Sequence, residues 1–130
     1  MYTLYTIPGS CSTGITVLME KLGVEYHLVR RDDVPNYNEI VPTNQVPAIK
    51  TENGNIITEG AAIAMYLLDK HGKELLPENI DERANFYQWL NFDYSTLHPA
   101  YGKLFSIVGN TDISDEIKSE VMQYFADTLS

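Results

Sequence analysis

The feature that most constrains the fold is a change of hydrophobic period across a Pro-Gly breaker near the start of the chain. Residues 3–5 are β-formers, and Pro8-Gly9 follows them. Beyond this breaker, apolar side chains recur at i, i+3, i+4 and i+7, as on one face of a helix. These side chains are Ile15, Leu18, Met19 and Leu22. Because Gly23 suits a helix C-terminus and residues 25–29 alternate, a right-handed parallel strand-helix-strand unit is predicted.

A hairpin and a further helix are predicted next. Asn53-Gly54 lies between the β-rich residues 48–51 and 56–58, which indicates an antiparallel hairpin with a tight turn of positive φ. A helical pattern then runs from Glu59 until just before Gly72. The polar connection ahead of the hairpin is expected to contain one short helical turn near residues 37–40.

The second half of the chain reads as helical. Asp81 is predicted to cap a long helix that reaches about Leu97, and Pro99 is expected to bend or end it. Ser114 is expected to cap a last helix after a break at Gly109-Asn110. The apolar stripes of these helices would be left uncovered, so we expect either a partner chain or a further C-terminal piece to cover them.

Composition excludes several classes of function. The chain has nine Lys and Arg residues and 18 Asp and Glu residues. The resulting formal charge of -9 disfavours nucleic acid and anionic membranes as partners. We expect no membrane span and no signal peptide, because apolar runs are short and the N-terminus lacks a basic flank. With one cysteine there is no internal disulfide, and a reducing cytosol is the expected compartment. No Cys/His spacing points to a metal site.

Cys11 is the candidate reactive group. It is predicted to lie at the N-terminus of the first helix, where unpaired N–H groups and the helix dipole stabilise a thiolate. The pKa of Cys11 is therefore expected to fall below its ordinary value of about 8.5, with hydroxyl donors from Ser12 and Thr13 beside it. The alternative is a buried cysteine packed as a small hydrophobe, which the small polar neighbours disfavour.

Three separated motifs carry a resemblance to a known family. They are Tyr-Thr-Ile-Pro-Gly-Ser-Cys-Ser at residues 5–12, Gln-Val-Pro-Ala-Ile at 45–49 and Thr-Glu-Gly-Ala-Ala-Ile at 58–63. In this order they resemble the glutathione S-transferases, and most closely the bacterial, cysteine-type beta class. The resemblance implies an α/β, thioredoxin-like, glutathione-binding domain (βαβ-ββα) at residues 1–76. It also implies a partial all-helical C-terminal domain at residues 80–130 that lacks its distal helices.

The same resemblance implies which residues bind glutathione. Val46-Pro47 should form a cis peptide that offers Val46 backbone groups to the cysteinyl part of glutathione, although an ordinary turn proline is the alternative. Glu59 and Gly60 should hold the γ-glutamyl end through the carboxylate and a helix N-terminus. Glu59 could instead be a first-turn acid that complements the helix dipole. Most class members have Ser where this chain has Gly60, so a hydroxyl contact is missing.

A helical histidine completes the predicted site. His98 resembles the histidine that beta-class enzymes place near the thiol, while a lone helix histidine is more often structural. Asn91 and Ser95 fall on the same predicted helix face as His98 and are expected to line the site. Pro99 replaces a basic residue that often follows this histidine. Arg30 and Arg31 do not match the basic residue that reaches glutathione in the family.

The implied function is conjugation of glutathione, as co-substrate, to small hydrophobic electrophiles. The expected enzyme is a cytoplasmic homodimer that acts in detoxification, with Cys11 beside the glutathione thiol. Two alternatives stay open. One is a glutathione-dependent thiol-disulfide reductase, in which Cys11 is the nucleophile. The other is a non-catalytic, transferase-like module that binds a protein partner.

Overall fold

The structure is a computed structural model that describes residues 1–129, and Ser130 lies outside the described residues. The chain divides into two compact units, Met1–Arg83 and Ala84–Ser130. The predicted domain limits, 1–76 and 80–130, stay a prediction. Among the described residues, no helix is both long enough and apolar enough to cross a membrane.

The first unit is built on a four-stranded sheet. Its strands are β1 (Tyr2–Thr6), β2 (Tyr26–Arg30), β3 (Ala48–Lys50) and β4 (Ile56–Thr58). The order across the sheet is β2-β1-β3-β4, with β1 parallel to β2 and the other two pairings antiparallel. The predicted parallel unit and the predicted hairpin are therefore both confirmed.

Three α-helices accompany the sheet, and two of them provide most of its core. They are α1 (Ser12–Lys21), α2 (Tyr37–Ile40) and α3 (Gly60–His71), and short 3-10 turns cover Arg31–Asp33 and Lys73–Leu75. Helices α1 and α3 contact each other. Most of the fully buried large apolar side chains come from β1, β3, α1 and α3, and each contributes about 1.5–3 kcal/mol by leaving water. They are Leu4, Ile15, Met19, Ile49, Ile63 and Leu67, and Val41 joins them from the end of α2.

The hairpin turn differs in detail from the predicted one. The Gly54 N–H donates to the Thr51 carbonyl at 2.9 Å, and the Thr51 N–H donates to the Asn55 carbonyl at 2.8 Å. Gly54 has a φ of 85°, whereas Asn53 is not among the residues of positive φ. The loop is thus longer than a two-residue turn, and only its glycine needs the left-handed region.

The second unit is helical. It holds most of α4 (Ile80–Phe92), which begins at the end of the first unit, then a π-helical turn (Asp93–Leu97), α5 (His98–Val108) and α6 (Asp115–Leu129). Helix α5 continues directly from the π-helical turn and contacts α6. The Ile117 N–H donates to Ser114 Oγ at 3.4 Å, which confirms the predicted cap of α6. The predicted fold class, an α/β thioredoxin-like unit followed by an all-helical region, is confirmed.

Two predictions about the long helix are wrong. Asn79, and not Asp81, caps α4, because Asn79 Oδ1 accepts the N–H groups of Asp81 at 2.9 Å and Glu82 at 3.2 Å. Pro99 does not end the helix, because it lies in the first turn of α5, where proline is tolerated. The alternative, that Pro99 bends the helix, stays a prediction.

Candidate functional site

Sheet topology brings three predicted site segments to one end of the first unit. The register pairs Tyr5 with Ala48, and Ala48 with Thr58. The residues after β1, the residues before β3 and the residues after β4 therefore leave the sheet at the same end. These three segments carry Cys11, Val46-Pro47 and Glu59-Gly60 respectively.

Cys11 occupies the N-cap position of α1, as predicted. Its thiol is half-buried, and Sγ donates a hydrogen bond to the Val46 carbonyl oxygen at 3.6 Å. The Val46-Pro47 peptide is cis, which confirms the conformation implied by the family resemblance. The sulfur and the backbone of Val46 thus lie side by side.

The predicted ionisation of Cys11 is wrong. Burial raises the pKa of the Cys11 thiol above its ordinary value, and the negative charge of Glu59 raises it further. The backbone N–H groups of Cys11 and Ser12 lower it, but they do not offset burial. In the free protein at neutral pH the thiol is therefore protonated and acts as a hydrogen-bond donor.

The first turn of α1 uses several of its backbone N–H groups in bonds of its own. The Ser12 N–H donates to Ser10 Oγ at 3.3 Å, and the Thr13 N–H donates to the Ser10 carbonyl at 3.1 Å. The Gly14 N–H donates to the Cys11 carbonyl at 3.3 Å. The amides of Ser12, Thr13 and Gly14, which the sequence analysis treated as unpaired, therefore each have an acceptor within the turn. The Ser12 hydroxyl, which is buried, bonds to the hydroxyls of Thr6 and Ser10.

Two residues that sequence reasoning missed hold the loop ahead of Pro47. Arg31 Nη1 donates to the Asn44 carbonyl at 3.3 Å, and the Tyr37 hydroxyl donates to the Gln45 carbonyl at 2.9 Å. Together with the Cys11 contact to Val46, three successive carbonyls are bonded. Burial raises the pKa of Tyr37 to about 12. The available signal was a tyrosine in a predicted helical turn, since a buried tyrosine usually bonds through its hydroxyl.

Glu59 has an unusual backbone conformation at the start of α3. Its φ is 66° and its ψ is 116°, and its carbonyl accepts the Ile63 N–H at 2.9 Å. Such a conformation in a residue other than glycine costs about 1–3 kcal/mol and persists only where surrounding structure fixes it. The Glu59 side chain is exposed, whereas Gly60 is buried. A carboxylate beside a helix N-terminus suits a ligand that carries both an ammonium and a carboxylate.

The predicted helical site residues lie in the second unit. Asn91 Nδ2 donates to the Tyr87 carbonyl at 2.8 Å, and Ser95 Oγ donates to the Asn91 carbonyl at 2.6 Å. Both side chains therefore bond to their own helix. His98 is exposed at the start of α5, directly after the π-helical turn. That turn holds one extra residue, which rotates His98 by about a quarter turn from the face predicted for an unbroken helix.

Comparison with known proteins identifies the family of proteins in which this arrangement at the end of the sheet occurs. Residues 9–70 match the model of the glutathione S-transferase N-terminal domain. The chain is 32% identical over 127 residues to the glutathione S-transferase GstA of Escherichia coli O157:H7. That match covers 91% of this chain and 61% of GstA, so the chain spans less than two thirds of this relative.

Solved structures agree with the sequence match. The bacterial glutathione S-transferase BphK, in a ternary complex, is 35% identical with a TM-score of 0.77, covering 98% of this chain and 66% of BphK. A glutathione transferase homologue from Sulfitobacter with bound glutathione is 25% identical with a TM-score of 0.80, covering 99% of this chain and 67% of the homologue. The chain therefore belongs to the glutathione S-transferase family.

Proposed function

We propose that this protein is a glutathione transferase that conjugates glutathione to small hydrophobic electrophiles. The observation that carries the proposal is the Cys11 thiol at the N-cap of α1, bonded at 3.6 Å to the Val46 carbonyl ahead of the cis-proline. The Cys11 S–H donor therefore lies beside the backbone of Val46, which is not part of a strand. A tripeptide that carries a thiol can bond to this S–H and to this backbone at the same time.

Glutathione would lie along this end of the sheet. Its cysteinyl backbone would bond to Val46 as an added strand does. Its γ-glutamyl ammonium would pair with the exposed Glu59 carboxylate, and its γ-glutamyl carboxylate would accept N–H groups at the start of α3, beginning at Gly60. The glutathione sulfur would then lie next to Cys11.

In this pose Cys11 acts as a hydrogen-bond donor. The burial that keeps its thiol protonated also makes its S–H available, and the S–H would turn from the Val46 carbonyl to the glutathione thiolate. Glutathione loses its thiol proton to solvent, its sulfur bonds to the electrophilic carbon, and the leaving group departs with the electron pair. A donor to the thiolate lowers the cost of ionising glutathione.

The family matches support this assignment. The Sulfitobacter homologue is described with bound glutathione, and the Escherichia coli relative is named a glutathione S-transferase. We extend the proposal to the cysteine-type beta class, a role in detoxification, a homodimer and a cytoplasmic location. For His98 we propose an assisting role near the thiol, with Asn91 and Ser95 lining the site.

Two variants of Cys11 test the proposal. Cys11→Ser keeps a hydroxyl donor and should retain most of the conjugation of a chlorinated nitroaromatic. Cys11→Ala removes the donor and should lower kcat/KM about 10- to 100-fold, as expected for a hydrogen bond to a charged group. Equal activity of wild type and Cys11→Ala would contradict the donor role. The protein should also be retained on glutathione resin and elute with free glutathione.

The half-buried thiol at a helix N-cap also fits a thiol-disulfide reductase. In that reaction the Cys11 thiolate attacks a mixed disulfide, one thiol leaves, and glutathione then reduces the new disulfide. The reductase requires sulfur at position 11, so Cys11→Ser should lose disulfide reduction completely while it keeps conjugation. A protein that neither binds the resin nor catalyses either reaction would be the non-catalytic interaction module.

A further inference from the structure

The peptide unit between Gln45 and Val46 is bonded on one side and open on the other. Its carbonyl, that of Gln45, accepts the Tyr37 hydroxyl at 2.9 Å. Its N–H, that of Val46, has no acceptor within residues 1–129, and Val46 lies outside the strands. In the described chain the cis bond is the next one, Val46-Pro47, so the Gln45-Val46 peptide is trans. The C=O and N–H of a planar trans peptide point in opposite directions, so the Val46 N–H is directed away from Tyr37.

Tyr37 can fix this peptide because its own side chain is buried and packed. The ring is 4% exposed and belongs to an apolar cluster whose other members are Tyr5, Val41 and Ala48. The ring centroids of Tyr5 and Tyr37 are 5.4 Å apart in an edge-to-face arrangement. The side chain of Val46 packs against the same cluster. The Tyr37 hydroxyl therefore reaches the loop from the core, although Gln45 itself is exposed.

We propose that Tyr37 is a positioning residue for glutathione, whose hydroxyl orients the Gln45-Val46 peptide so that the Val46 N–H is presented to the backbone of the bound tripeptide. This inference rests on the proposed function, in which the cysteinyl backbone of glutathione bonds to Val46. A hydrogen bond to the carbonyl of an amide also polarises that amide and makes its N–H a stronger donor. Because Tyr37 contacts the loop and the core, it acts on binding and not on the reacting sulfur.

Binding of S-methylglutathione, measured by titration calorimetry, tests the role of the Tyr37 hydroxyl. Tyr37→Phe keeps the ring but removes the donor to the Gln45 carbonyl, and it should raise the Kd about 3- to 10-fold. The kcat for conjugation at saturating glutathione should stay within about twofold of wild type, while KM for glutathione rises with the Kd. This split between KM and kcat is the signature of a residue that positions the ligand.

Tyr2→Phe is the matched control, because it removes another buried tyrosine hydroxyl from the same unit. Tyr2 is 1% exposed, and its hydroxyl bonds to His71 Nε2 at 2.8 Å at the opposite end of β1. We expect Tyr2→Phe to lose about as much stability in urea as Tyr37→Phe, and to bind S-methylglutathione with the wild-type Kd. An equal rise of the Kd in both variants would overturn the inference, and so would an unchanged Kd in Tyr37→Phe.

Hydrogen exchange of the Val46 amide in the wild type, followed by NMR, tests the same inference without a substitution. Saturating S-methylglutathione should slow this exchange more than about fivefold, because the free N–H gains an acceptor. Unchanged exchange in a protein that binds the ligand would overturn the inference and leave the proposed function standing. A wild type that does not bind S-methylglutathione at millimolar concentration would overturn both, so the two failures are distinguishable.

Discussion

At the scale of single residues, the site depends on where hydrogen-bond donors are already used. A sulfur at a helix N-cap gains from the helix only those N–H groups that no neighbour has taken. Here the N–H groups of Cys11 and Ser12 favour the thiolate, although Ser12 also bonds to Ser10, and burial is the larger, opposing effect on the Cys11 pKa. The position of Cys11 could be predicted from the period change after Pro8-Gly9. Its ionisation could not, because it depends on side-chain contacts and burial that exist only in the folded chain.

The pH dependence of Cys11 alkylation follows from this. Because the pKa of the folded-state thiol is raised, less thiolate is present at pH 7 than in an unperturbed cysteine, and the reaction is slower. The alkylation midpoint should lie above about 8.5, and it should return to that ordinary value in denaturant. A single cysteine makes the measurement unambiguous. A folded-state midpoint below the denatured one would contradict the structure.

Tyr37→Phe tests the hydrogen bond that holds the loop ahead of Pro47. The ring should still pack against Tyr5, whose centroid is 5.4 Å away, while the bond to the Gln45 carbonyl is lost. We expect a loss of about 1 kcal/mol in the free energy of unfolding at pH 7, measured with urea. The exposed Tyr101→Phe is the control and should change stability by less than about 0.5 kcal/mol.

The wild type and Tyr37→Phe should respond differently to alkaline pH. The folded-state pKa of Tyr37 is raised to about 12, so folding favours its neutral form. The wild type therefore loses the Tyr37 contribution as pH rises from the unfolded value of about 10 towards 12, whereas the phenylalanine ring of the variant does not titrate. The stability difference between wild type and Tyr37→Phe should shrink over this range. A stability difference that grows over this range would contradict the raised folded-state pKa of Tyr37.

At the scale of elements, local signals predicted the strands and helices better than their junctions. The alternation of residues 25–29 and the β-rich segments around Asn53-Gly54 are short-range patterns, and both became strands in the predicted pairing. The π-helical turn at Asp93–Leu97 has no comparable signal, because periodicity assumes a constant 3.6 residues per turn. Its presence changes which residues share a face with His98.

Substitutions at the N-terminus of α4 test whether Asn79 or Asp81 caps this helix. Asn79→Ala removes the oxygen that accepts two helix N–H groups, and it should lower the free energy of unfolding by about 1 kcal/mol. Asp81→Ala removes only a first-turn charge and should cost about 0.3–0.5 kcal/mol at low salt. Urea denaturation of both variants measures the two values. A larger loss for Asp81→Ala would restore the cap predicted from sequence.

At the scale of the whole molecule, the two units differ in how much apolar surface they bury. The fully buried aliphatic core comes from the first unit, whereas the second unit has large hydrophobic side chains that remain exposed. These include Trp89, Phe105, Ile117, Met122 and Tyr124. Exposed apolar surface of this kind is typical of sites of association, and it fits the sequence expectation that a partner chain or a further C-terminal piece covers these helices.

The proposed homodimer is the whole-molecule prediction. Sedimentation velocity over a range of protein concentrations should show a species of about twice the chain mass of 14.7 kDa. Because apolar contacts would hold it together, the dimer should persist at high salt. A constant mass of one chain at every concentration would contradict the dimer.

In the proposed complex, glutathione lies beside Cys11, between the Val46 backbone and the Glu59 carboxylate. Protection of Cys11 from iodoacetamide by S-methylglutathione tests this most directly, because the ligand has no thiol of its own to react. We predict that saturating S-methylglutathione slows alkylation more than about tenfold, and that S-methylcysteinylglycine, which lacks the γ-glutamyl group, protects far more weakly. An alkylation rate that S-methylglutathione leaves unchanged at millimolar concentration would contradict the account.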